Sequence, residues 1–535
     1  LFYEEIPFTK VCPANAIPKS INLLKRNNLF ASVPLPGLME ITLTLQYIPG
    51  MKSLFTLLLL FIFGQVNAHT LVVGTGSGSV VKNDMNGLLP GDTLAIRSGF
   101  YEKGGAFSNL SGISIINQGG IIDFGQTVSI GNLSRVSILG NGVKNLLYGI
   151  RFQNMKGTAF FVEAPCNHLS IAYCVYQNLD GIALDASRFF VRYTGDTATM
   201  ALYKTVISHQ KLLHSGPLFT GSWASTGSFQ NVVDSIAFLH IIIDSSGSEG
   251  NQVIGSSVYR MLADHWTITG PNPNGKHDAG IFQIAGNGTV RNIYRRNGWG
   301  YLWRLWNVGL NGRAESYLYN CIDLSSDAYG TLDYRISADD TTAGNKIPFC
   351  RGGNMHVLNN TSGNKQNATH YVSVLVVAGQ FFSKNGYTLE IRNNLCFNNI
   401  TDNANHVVKQ NTGDPLTDTS NNIYVADPIA AGILLDTIAC RLNPAGAAID
   451  RALAIPYIHS DIDAVVRPSG KAADIGAREY AGSGTIAPGH AVFPKRYFYP
   501  GLMVLLAAIF VFIGKKVVHR KSNKSSAFSA FFPSF

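Results

Sequence analysis

The stretch TLEIRNNLCFNN (388–399) reads as a short alternating strand, an Asn pair at Asn393-Asn394, a second short apolar run, and another pair at Asn398-Asn399. Alternation at a period of two buries one face of a strand. Asn tolerates the left-handed backbone that a tight corner requires. The same grammar recurs along the chain. Short runs stand at Ile113-Ser114-Ile115-Ile116, Val136-Ser137-Ile138-Leu139, Leu169-Ser170-Ile171, HWTITG (265–270), VRNIYR (290–295), SYLYNC (316–321), NMHVLNN (354–360) and NNIYVAD (421–427). The clearest neighbours are spaced about 20 to 35 residues apart, the range of solenoid repeats. Asn359-Asn360 and Asn421-Asn422 repeat the pairing, and Asn side chains stacked at equivalent corners can hydrogen-bond in a ladder along the coil axis. A sandwich also uses short strands, so the repetition and the Asn pairs decide. They favour an all-β solenoid, a parallel β-helix.

Composition narrows the class further. The chain has 535 residues, 54 of them Gly, with 46% hydrophobic and only 14% charged residues. Coiled coils need far more Glu, Lys and Leu. Disorder is disfavoured because this much apolar surface offsets chain entropy. The formal net charge of +9 at first suggests nucleic acid or an anionic membrane. Residues 1–68 carry five basic and three acidic residues, residues 69–480 carry 30 of each, and residues 481–535 carry seven basic and none acidic. The body is therefore neutral, which argues against a nucleic-acid partner, since phosphate binding needs a basic face.

The ends read as export and anchoring signals. MKSLFTLLLLFIFGQVNAHT, beginning at Met51, has a start Met, one Lys, an apolar run to Phe63 and a small-residue cleavage site at Val66-Asn67-Ala68. Residues 51–68 are thus expected to be a signal peptide cut before His69, and residues 1–50 an upstream extension outside the native protein or disordered. After a 481–496 linker, residues 497–518 read as a transmembrane helix. The uncharged run Tyr497 to Gly514 is flanked by Lys495-Arg496 and Lys515-Lys516. A short basic tail, 519–535, follows. The expected location is the cell envelope, with the 69–480 body outside the cytoplasm.

Two segments carry a family resemblance. LLPGDTLAIRSGFYE (88–102) resembles the opening coil of the pectate-lyase-like right-handed parallel β-helix superfamily. The segment Ala448-Ile449-Asp450 through Arg467-Pro468-Ser469-Gly470 to Asp474-Ile475-Gly476-Ala477-Arg478-Glu479-Tyr480 resembles the closing signature of exported bacterial members. The resemblance implies a right-handed coil and an exported protein acting on polysaccharide. The superfamily spans lyases, hydrolases, esterases and adhesins, so the fold selects no chemistry. Polygalacturonase-like motifs are absent apart from Asp339-Asp340, and Asp264-His265 matches a pectate lyase motif only superficially.

Polar and aromatic residues are densest between 264 and 313, where four of the five Trp residues lie. Trp266, Trp299, Trp303 and Trp306 offer flat faces for sugar rings, and Arg296 and Arg313 offer donors for hydroxyls or carboxylates. β-Elimination on a uronate chain needs a base beside the carboxylate and a cation to stabilise the enolate. His265 or His277, or Lys276 with a depressed pKa, is the candidate base, and Arg295 or Arg304 the cation. Trp303 and Trp306 also suit a core. No structural zinc pattern exists among the scattered Cys, of which Cys166 and Cys174 form the one near pair. No cofactor is required; calcium is a candidate through Asp323, Asp327, Asp333, Asp339 and Asp340. The competing reading is a non-catalytic glycan-binding or adhesin-like surface module.

Overall fold

The computed structural model describes residues 29–31, 43–45 and 68–481. The last range is interrupted at 81–84, 86, 188–199, 222–232, 248–252, 257, 271–278, 309–313, 325–326, 336–352, 365–373, 379–387, 399–406 and 411–417. The chain divides into two compact units, Leu1–Ala68 and His69–Phe535. In the first, Leu29–Ala31 pairs antiparallel with Leu43–Leu45. Among the described residues the second is all-β, and 28 strands join there in one network. The signal-peptide run and the 497–518 span lie outside the described residues.

Among the described residues every strand pairing in the second unit is parallel, each strand meeting one a coil further on. One inward row shows the stacking. Leu94 pairs with Ile115, Ile115 with Ile138, Ile138 with Ile171, and Ile171 with Ile207. Phe238, Ala263, Val290, Leu318, Val357 and Ile391 continue it. All of these side chains are buried. Parallel pairing at about 4.8 Å per coil puts like positions over one another, so an apolar residue at an inward position buries the next. The result is a parallel β-helix, built from a first sheet carrying this row and a second sheet that includes Phe160–Val162, Phe219–Gly221, Trp299–Val308 and Asp327–Arg335.

The first sheet bends at one corner, and the corner is written in left-handed residues. Tyr173, His209, His240, His265, Asn292, Asn320, Asn359, Asn393 and Asn421 occupy equivalent places in successive coils, with φ between 52° and 62°. Just inside it the anticipated Asn ladder forms. Asn360 Nδ2 donates to Asn394 Oδ1 at 3.0 Å, and Asn394 Nδ2 to Asn422 Oδ1 at 2.9 Å. Asn394 Nδ2 also reaches the carbonyls of Val357 and Arg392. These amides satisfy backbone groups that the corner leaves unpaired. Asn393 and Asn421 form a second ladder beside it, at 2.8 Å. Asn399 lies outside the described residues.

After the last strand the chain folds back along the outside. Ile433, Leu434, Leu442, Ile475 and Ala477 pack on Ile322, Leu324, Leu395 and Phe397, outward residues of the first sheet beyond the corner. The extended part is held by the corner itself. Asn421 Nδ2 donates to Arg451 O, Asn393 Nδ2 to Leu453 O, and Asn320 Nδ2 to Ser460 O, at 2.7 to 2.8 Å. Arg467 then ties the end, donating to the carbonyls of Asp474 and Gly476 and lying 3.2 Å from Glu479. The closing segment that the sequence singles out is therefore a lateral strap with a buried polar knot. Cys166, Cys174, Cys321, Cys396 and Cys440 are buried, and Cys166 and Cys174 form no disulfide with each other; they pack as small apolar residues do.

Candidate functional site

The structure separates the residues that the sequence groups between 264 and 313. Trp266 and Trp303 point inward and are fully buried. Trp266 packs edge-on against Phe238 and donates to its carbonyl at 2.9 Å. Neither Trp offers a sugar platform, because each lies at an inward position of its strand. Arg295 is the larger correction. It occupies the inward row Leu212, Ile243, Ile268, Arg295, Asp323, Ser362, where it has no solvent exposure. Its guanidinium meets Asp323 with two contacts of 2.8 Å. It is an interior ion pair, out of reach of any surface ligand.

Arg304 lies on the second sheet, away from His265. Its Nε donates to Asp333 at 2.8 Å, and its guanidinium sits 4.8 Å over the Trp306 ring and 5.5 Å over Phe282. Trp306 also reaches Asp333, at 3.3 Å. His265, Arg295 and Arg304 therefore do not converge. Arg296 is exposed at the end of its strand, and Trp299 opens the strand Trp299–Val308. Lys276, His277 and Arg313 lie outside the described residues. Asp323 and Asp333 are paired with Arg295 and Arg304; Asp327 lies in a strand, and Asp339 and Asp340 lie outside the described residues. Among the described residues no cluster of three or more His, Cys, Asp or Glu side chains is arranged for a metal ion.

His265 does reach the surface, and it leads to a site that the grouping missed. Its side chain is 41% exposed, and its Nδ1 is 2.7 Å from Asp264 Oδ1. Asp264 is otherwise buried and also accepts from Arg291 Nε at 2.9 Å and Asn292 Nδ2 at 2.8 Å. Burial alone would raise the Asp264 pKa, but these partners hold it below the usual carboxylate value. Arg291 in turn donates to the Tyr319 hydroxyl at 2.7 Å.

The next outward row of the same sheet is Thr289, Tyr317, His356, Glu390 and Asp418, one residue per coil. His356 is stacked on Tyr317 with ring centroids 4.7 Å apart and 12° between planes. Its Nδ1 lies 2.5 Å from Glu390 and its Nε2 2.7 Å from Glu315. Two carboxylates on two ring nitrogens require both nitrogens to donate, which is the imidazolium form. Burial works against that charge, but the two glutamates raise the pKa above its ordinary value. Arg392, beside this row, is paired with Glu390 at 2.9 Å and with Asp418. Above it the strap brings Tyr457, 46% exposed, edge-on to Tyr317 at 5.5 Å. The face thus combines half-exposed aromatic rings with carboxylates and guanidiniums, graded coil by coil along the axis.

No family model and no curated protein matches this chain. Among solved structures, a crystal structure of pectate lyase Pel9A matches at 13% identity and a TM-score of 0.35, over 76% of this chain and 97% of that one. At that score the likeness bears on neither fold nor activity, and the parallel coil rests on the strand pairing above.

On the other side of His265 the corner continues as stacked imidazoles. His265 to His240 is 4.9 Å, His240 to His209 4.8 Å, and His209 to Tyr173 4.5 Å between centroids. Burial and the neighbouring His240 push the His209 pKa down to about 4, and burial with His265 lowers that of His240. A base held below its unfolded value of 6.5 contributes stability at higher pH that is lost as pH falls from 6.5 toward 4. His209→Asn keeps a residue suited to the left-handed corner and removes that proton uptake. Circular dichroism against pH should then show acid unfolding shifted to lower pH; an unchanged midpoint would mean the ladder imidazoles do not govern it.

Proposed function

We propose that the protein is an exported, right-handed β-helix, tethered through residues 497–518, that holds a polysaccharide along the outer face of its first sheet. The observation that carries this reading is Tyr317 stacked on His356 between Glu315 and Glu390, with Tyr457 beside it. Sugar rings pack on aromatic faces and give their hydroxyl hydrogens to carboxylates, and the coil spacing repeats that offer along an extended chain. Export is supported by the Met51 signal pattern. The right-handed sense follows the strong preference of parallel crossovers.

Affinity electrophoresis of the full-length chain in gels containing soluble polysaccharides tests the reading. Tyr317→Ala and Tyr457→Ala should each weaken retardation about tenfold, the loss of one well-packed aromatic contact. Tyr317→Phe should retain most of it. Retardation unchanged in both Ala variants would remove the face from the function.

Cleavage by β-elimination is the second reading, favoured by exposed His265 backed by Asp264 and lying near Arg291. It requires the absorbance of unsaturated products from a uronate polymer. Binding without that absorbance leaves a glycan-binding module.

A further inference from the structure

We propose that the chain held on this face is a neutral glycan and not a polyuronate. The inference rests on the reading of the face as a polysaccharide site and names its ligand class. Its basis is the charge that a ligand would meet. Asp264, Glu315, Glu390 and Asp418 supply four carboxylates, against the guanidiniums of Arg291 and Arg392 and the imidazolium of His356. Each cation already faces at least one of these carboxylates. The neighbouring Arg260 is likewise held by Asp234, with contacts of 2.7 and 2.6 Å.

A polyuronate brings one carboxylate per sugar ring. To bind it, the face would have to strip an arginine or His356 from its present partner and leave a protein carboxylate uncompensated, while like charges approach along several coils. Neutral hydroxyls meet no such conflict. Glu315 is 43% exposed; its oxygens meet His356 Nε2 and Asn354 Nδ2, and a carboxylate offers about four acceptor sites. Hydroxyl donors can use them without disturbing the ion pairs. Tyr317 and Tyr457 supply the apolar contact that such a ligand needs in place of charge. A neutral glycan without uronic acid or uronate ester rings would also exclude β-elimination, which needs a carboxyl group beside the proton removed.

The sign of one substitution separates the two ligand classes. Glu315→Gln removes a negative charge from an exposed side chain and keeps its shape. The full-length chain is titrated with neutral polymers (a β-glucan, a galactan and a mannan) and with polyuronates (polygalacturonate and alginate), at low and high salt. Binding to a neutral polymer that changes little with salt, and that Glu315→Gln weakens about fivefold as a charge-assisted hydrogen bond becomes a neutral one, is the expected result. Preferential binding of a polyuronate, falling with salt and strengthened by Glu315→Gln, would overturn the neutral assignment while leaving the polysaccharide reading intact. Binding of neither class would overturn the polysaccharide reading and the neutral assignment with it. Circular dichroism of the variant separates a lost contact from a lost fold.

Discussion

Arg295→Met is expected to destabilise the β-helix by about 3–5 kcal/mol, because it removes the guanidinium that Asp323 meets in the interior. Asp323 has no exposure and also accepts from the Thr331 hydroxyl at 2.9 Å. A solenoid unfolds by neighbouring coils, so urea denaturation should show an early transition assigned to the coils around Ile268–Ser362. The double variant Arg295→Met/Asp323→Leu should recover most of the loss, since a buried pair replaced as a unit by apolar groups is often close to neutral. Thr331 and Ser362 can still bond each other, at 3.2 Å. A single variant with wild-type stability would mean that Asp323 takes up a proton or finds water, and the interior pair would lose its structural role.

Arg467→Ala is expected to loosen the C-terminal strap, with a local cost of about 3–5 kcal/mol. Arg467 and Glu479 have almost no side-chain exposure. Asp461 and Asp474 are buried beside them and are held chiefly by backbone amides, among them those of Val465, Glu479, Asp450 and Tyr480. Burial raises the pKa of Asp461, Asp474 and Glu479, with Arg467 as the compensating charge. A carboxyl whose folded pKa is raised binds more protons folded than unfolded. Its contribution to stability therefore falls as pH rises from the unfolded value of about 4 through the folded value. Without Arg467 that window should extend upward. Hydrogen exchange should show amides 461–480 protected at mildly acidic pH and opened at neutral and alkaline pH, while the coils keep their protection. Equal loss at every pH would point to lost packing and not to uncompensated charge.

The fold was legible because its determinants are local. TLEIRNNLCFNN states a strand, a left-handed corner and a ladder residue within one coil, and Asn394 does form the hydrogen bonds that the pairing implies. The site was legible only in part. His265 and its surroundings drew attention through residue type, but residue type does not say which way a side chain points. Trp266 follows the left-handed corner residue and turns inward; Arg295 falls on an inward row. The missed residues had a usable signal. Aligning the repeats on the corner places Asp264, Arg291, Tyr319 and Arg392 in one column and Thr289, Tyr317, His356 and Glu390 in the next, both outward. Tyr457 had none, since nothing local in the chain says that the strap lies across Tyr317 and is not extended.

The sequence by itself determined the repeat, its corners, the parallel stacking and the neutrality of the body, because strand alternation and Asn backbone preference act within a few residues. Tertiary structure alone decided which charges lie on the outer face. Coils join residues some 20 to 40 positions apart, and small changes in coil length decide which side chains become neighbours. That placement took Arg295 and Arg304 into ion pairs with Asp323 and Asp333, and it gathered Glu315, His356 and Glu390 from three separate strands.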